Sequence, residues 1–99
     1  MIKIQLGEKR DIILRVTRGL ADGPIEPTAC AFRILDSKGN LLADWSHATW
    51  DAPASLITGT FDSSLRGLSA PGNYSVEFRL DIGNERYLKP VTVQVRRPK

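Results

Sequence analysis

Ninety-nine residues, 41% of them hydrophobic, with 14 basic and 11 acidic side chains and a formal charge of +3, make one domain over residues 1–99 and exclude a two-domain enzyme. Ile, Leu, Val and Phe supply 27 residues, well above the roughly 20% below which a highly charged chain tends to stay disordered, so a core can pack without metals or disulfide staples. The single cysteine, Cys30, rules out an intramolecular disulfide and cannot hold a metal alone.

Ile2-Lys3-Ile4-Gln5-Leu6 alternates apolar and polar residues, the pattern of a short strand, and is not the continuous apolar stretch of a secretory signal. No run approaches the ~20 apolar residues of a membrane-spanning helix, so the expected site of synthesis and residence is a cytoplasm, with no membrane partner. Asp11 to Thr17 places Ile12, Leu14 and Val16 on one face of a strand, and the Gly- and Pro-containing segment Gly19 to Pro27 reads as a loop. Ala29 to Asp36 is a strand with Cys30, Phe32 and Ile34 inward, Cys30 serving as a small core hydrophobe. Asp36-Ser37-Lys38-Gly39-Asn40 is turn chemistry leading to a hairpin partner, Leu41 to Trp45, whose last residue is expected in the core.

Ser46 to Ala54, with His47, Trp50 and Pro53, reads as a loop. Leu56 to Asp62 is a strand with Ile57, Gly59 and Phe61 opposite Leu56, Thr58 and Thr60, and Ser63 to Leu68 has room for one helical turn at most. The strongest alternation is Asn73 to Asp81, where Tyr74, Val76, Phe78 and Leu80 share one face. Ile82-Gly83-Asn84-Glu85 turns the chain into Arg86 to Arg96, a strand expected to point Tyr87, Val91, Val93 and Val95 inward. Prolines at 24, 27, 53, 71, 90 and 98 leave no uninterrupted amphipathic helix.

Seven short strands with turn signals between them predict an all-β, seven-stranded antiparallel immunoglobulin-like β-sandwich. In Leu68-Ser69-Ala70-Pro71-Gly72-Asn73-Tyr74-Ser75-Val76, a Pro-Gly turn enters a strand whose first inward residue is Tyr, the place of a tyrosine corner. Through Gly72-x-Tyr74-x-Val76 and the strand spacing, nearly the whole chain resembles immunoglobulin-like and fibronectin-III-like modules. It departs from antibody domains in lacking the cysteine pair and the core Trp between them, so immune recognition is not implied. Gly7-Glu8-Lys9-Arg10-Asp11, Ile34-Leu35-Asp36-Ser37-Lys38-Gly39 and Gly72-x-Tyr74-x-Val76-x-Phe78 are similar to small immunoglobulin-like structural proteins of tailed bacteriophages, including the N-terminal domains of baseplate upper proteins. That resemblance implies a non-enzymatic virion component, made in the bacterial host cytoplasm, that docks to other virion or assembly proteins or to further copies of itself.

The residues carry little chemistry. Ser46 or Ser55 with His47 and Asp51 could suggest a triad, but no nucleophile elbow or oxyanion-forming glycine loop accompanies them. One His, one Cys and dispersed carboxylates fall short of zinc or calcium ligand density, and Gly19-Leu20-Ala21-Asp22-Gly23 lacks the Lys-Ser/Thr of a phosphate loop. The expectation is therefore no catalytic residue, no cofactor and no metal. The candidate interface is His47, Trp50 and Asp51, an aromatic anchor with a polar rim, with Trp50 equally open to covering an edge or end of the sandwich, and the basic tail of Arg96, Arg97 and Lys99 is the second choice. Two rivals stand beside docking: a carbohydrate- or peptide-binding domain with Trp50 and Tyr87 as stacking platforms, and a nucleic-acid module centred on the basic C-terminus. Dispersed basic residues make nucleic acid the weaker of these.

Overall fold

The computed structural model describes residues 2–16, 27–51, 54–65 and 67–97. Among them eight strands follow one another: β1 (Ile2–Gln5), β2 (Lys9–Arg15), β3 (Ala29–Asp36), β4 (Leu41–His47), β5 (Thr49–Asp51), β6 (Leu56–Asp62), β7 (Gly72–Ile82) and β8 (Glu85–Arg96). A five-stranded sheet in the order β1-β8-β7-β3-β4 faces a three-stranded sheet in the order β2-β6-β5. Lettering β2 to β8 as B, C, C′, D, E, F and G reproduces the G-F-C-C′ and B-E-D orders of an immunoglobulin-like sandwich. The Gly19 to Pro27 loop lies outside the described residues except for Pro27.

Two features correct the expected architecture. The segment expected as one loop from Ser46 to Ala54 instead finishes β4 and forms the additional strand β5. Ala48, fully buried, is the pivot at which the chain leaves one sheet for the other; its N–H donates to the Cys30 carbonyl at 3.2 Å. The sheet is also not wholly antiparallel, because β1 runs parallel to β8 from Ile2 opposite Val93 to Gln5 opposite Arg96. The Leu6 N–H continues this ladder, donating to the Arg96 carbonyl at 2.8 Å.

Period-2 patterning accounts for the core. Tyr74, Val76, Phe78 and Leu80 of β7 are all buried, facing Ile12 of β2 and Ile57 and Phe61 of β6, with Cys30 and Ile34 of β3 and Val93 and Val95 of β8 on the same layer. Each large side chain fully removed from water contributes about 1.5–3 kcal/mol before chain entropy is counted. The Phe61 and Tyr74 rings are tilted at 60° with centroids 5.4 Å apart, which ties the sheets together at one end. The Tyr74 hydroxyl donates to the Ala70 carbonyl at 2.6 Å, so the tyrosine corner anticipated from Pro71-Gly72-x-Tyr74 is present.

Local chemistry sets the connections. In the two-residue turn between β7 and β8, Gly83 has φ 60°, a conformation open to glycine at little cost and required at the first central residue of a type II′ hairpin. Asp36 Oδ1 accepts the N–H groups of Lys38 and Asn40, each at 2.9 Å, and closes the β3–β4 turn. Ser63, fully buried, donates to the Leu68 carbonyl and accepts the Gly7 N–H, both at 3.1 Å. This satisfied hydroxyl links the β1–β2 turn to the corner before β7.

Candidate docking surfaces

The aromatic anchor expected in a loop is not where the loop reading put it. His47 ends β4 and is exposed, and Asp51 ends β5 and is exposed, accepting the Ala54 N–H at 3.5 Å. Trp50 lies between them on β5, opposite Ile57 of β6, and packs half-buried against the core. Its Nε1 is buried with no hydrogen-bond partner among the described residues. An indole packed this way cannot also fill a partner's pocket without leaving its own.

Trp45 is displaced in the opposite sense. Continuing the alternation from Leu41 through Ala43 would turn it inward. Between the pairs Ile34–Ala43 and Phe32–Ser46, however, one residue of β3, Arg33, faces two of β4, Asp44 and Trp45. This β-bulge breaks the alternation. Trp45 sits on the outer face of the five-stranded sheet, with the Arg33 and Arg79 guanidinium carbons 4.7 and 4.8 Å from its ring centroid. Arg33 also pairs with Glu77 at 2.7 Å, and Asp81 lies 3.7 Å from Arg79 Nε. Asp81 also accepts from Arg86 Nε at 3.0 Å, so two carboxylates serve three guanidinium groups, and each cation–π contact contributes about 0.5–1 kcal/mol at such partly exposed positions.

The basic tail is only partly a surface of free charge. Arg96 is the exposed last residue of β8, its Nε donating to Gln94 Oε1 at 3.0 Å, and Arg97 is exposed beyond it. Lys99 lies outside the described residues. The tail therefore offers charge that salt screens, and among the described residues no exposed apolar anchor accompanies it.

The open stretch of β8 is a surface that the alternation alone did not single out. β7 flanks β8 from Glu85 to Val95, but β1 covers only Val93 to Arg96 on the other side. Among the described residues, Glu85 to Thr92 has no strand beyond it. Val93 and Val95 are buried as expected and Val91 is half-buried, whereas Tyr87, expected inward, is 46% exposed, and neighbouring Leu88 is 53% exposed. The correction has a physical cause: Tyr87 does lean toward the inner layer, but it stands at the rim, beside this open edge. With Leu14, Val16, Ile57, Phe78 and Leu80 it borders a cleft of about 230 Å³. Its hydroxyl donates to the Glu85 carboxylate.

Other chemistry at the surface is local. Among the described residues no three His, Cys, Asp or Glu side chains gather in a metal-binding arrangement, and no helix is long and apolar enough to cross a membrane. Burial pushes the Cys30 thiol up, and its Sγ donates to the Ala48 carbonyl at 3.1 Å. Compared with known proteins, the sequence matches no family model and finds no significant match among curated proteins.

Proposed function

We propose that the protein is a non-enzymatic structural module that docks through an open sheet edge onto protein partners, and that its setting is the virion of a tailed bacteriophage. The observation that carries the docking reading is the stretch Glu85 to Thr92, which among the described residues pairs with β7 alone and has exposed Tyr87 and Leu88 along it. Unpaired backbone groups at such an edge accept a strand from another chain, main-chain bonds supplying affinity and alternate side chains specificity. The virion setting rests on the resemblance carried by the turn before β2, the β3–β4 turn and the tyrosine-corner motif. The half-buried position of Trp50 speaks against the rival in which Trp50 and Tyr87 together form a sugar-stacking platform.

Particle fractionation tests this. Phage particles purified from the source culture on a density gradient are probed with antibody to this chain. A fixed copy number per particle, resistant to washing in high salt, is the expected result. Recovery wholly in the particle-free supernatant would overturn the virion assignment.

A further inference from the structure

We propose that the occupant of the open β8 edge is the same edge of a second copy: two chains pair antiparallel from Glu85 to Lys89 about a two-fold axis at Tyr87, joining their five-stranded sheets into one. This deepens the docking reading and rests on it, because it names the partner of that same edge.

Backbone direction limits the registers available. The Arg96 carbonyl accepts from Leu6 on the β1 side, and β8 pairs with β7 without a register shift from Glu85 to Val95. Even-numbered residues of β8 therefore turn their backbone groups toward the open side, as alternation along an antiparallel ladder requires. Pro90, which has no N–H to give β7, fits this phase. Arg86 and Leu88 consequently present N–H and C=O groups outward. In an antiparallel two-fold pair centred on Tyr87, Arg86 of each copy lies opposite Leu88 of the other, and the two pairs exchange four N–H···O bonds. Centring on Leu88 instead would set Arg86 against Pro90 and lose a donor at each end of the ladder.

The same register matches charge. Glu85 falls opposite Lys89 of the second copy, twice in the dimer by symmetry, and both residues are exposed. Tyr87 meets Tyr87 at the axis, where cross-strand side chains are closest, and Leu88 lies beside the Arg86 stem. A two-fold interface must be self-complementary in this way. Lys and Pro on an edge also serve as guards against pairing. Here Lys89 has an opposite charge to meet, and Pro90 falls outside the central ladder, where it selects the register instead of blocking it.

Sedimentation equilibrium over micromolar to millimolar concentrations is the test, with circular dichroism and urea melts to confirm that each variant is folded. The wild-type chain is expected to reach a dimer. Lys89→Glu and Glu85→Lys each set two like-charge pairs across the axis and should weaken dimerisation by about tenfold or more. The double variant E85K/K89E restores opposite charges and should return the constant to near that of wild type. An equimolar mixture of the two single variants should form heterodimers more tightly than either variant forms homodimers. Leu88→Pro removes two of the four bonds without taking a donor from β7 and should abolish the dimer. A chain monomeric throughout the range, or a dimer indifferent to both charge reversals, would overturn the proposal. A monomeric chain that still travels with particles at fixed copy number would overturn self-pairing alone, leaving docking onto a different protein.

Discussion

Gly59 in β6 offers a sharp test of the core, because the Phe32 ring of the opposite sheet rests directly on its bare Cα. A methyl group built there would lie 2.7 Å from Phe32 Cγ and 2.9 Å from Cδ1, against the roughly 3.5–4.0 Å of a comfortable carbon contact. Cγ is the root of the ring, so relief needs a χ1 rotation that also disturbs the tilted pair of Phe32 with Phe78, whose centroids are 6.3 Å apart. With space available, Gly→Ala would stabilise the chain by about 0.5–1 kcal/mol through lower unfolded-state entropy. Overpacking costs about 1–3 kcal/mol, so Gly59→Ala should destabilise by roughly 0.5–2 kcal/mol net. Urea denaturation should show a lower midpoint at unchanged slope. In a Phe32→Leu background the obstruction is smaller, and the double-mutant cycle should give a coupling of about 1 kcal/mol. A midpoint that rises on Gly59→Ala, or that falls equally in both backgrounds, would refute the contact as the reason for glycine here.

Three further outcomes follow from the packing and the turns. Trp50→Ala should destabilise by about 2–4 kcal/mol as a truncation against the core, while Trp45→Ala should cost about 1–2 kcal/mol through loss of two cation–π contacts; urea midpoints in the reverse order would show the faces to be exchanged. The Asn40 backbone N–H, then its side-chain amide and Lys38, hold the Asp36 carboxyl below the ordinary carboxylate range. A folded value below the unfolded one stabilises above that ordinary range, and the contribution is lost as pH falls through the folded value. Asp36→Asn should therefore lower the neutral-pH urea midpoint and flatten its acid fall, and an unaltered pH profile would contradict the turn's role. Cys30, buried and with its thiol pKa raised, should react with a disulfide reagent only as fast as the chain opens; a native rate equal to that in urea would place the thiol at the surface.

Alternation within single strands, legible in the sequence, carried much of the fold. The inward sets Cys30, Phe32 and Ile34; Ile57, Gly59 and Phe61; and Tyr74, Val76, Phe78 and Leu80 follow from a period of two, because each of these strands keeps one phase and one core face. The tyrosine corner was legible too, since Pro71-Gly72 places the chain turn and Tyr74 has a backbone carbonyl within reach. The two tryptophans required the tertiary structure. A bulge opposite Arg33 turns Trp45 outward, and the sheet change at Ala48 turns Trp50 toward the core, and neither event leaves a mark in the alternation itself. The open edge was likewise a tertiary decision. Tyr87 and Leu88 belong to a well-patterned strand, but alternation does not say which part of it has a second neighbour: among the described residues β1 pairs only with Val93 to Arg96, and Tyr87 and Leu88 are exposed. Local pattern determines which way a side chain points within its strand; only the pairing of distant strands determines whether anything lies beside it.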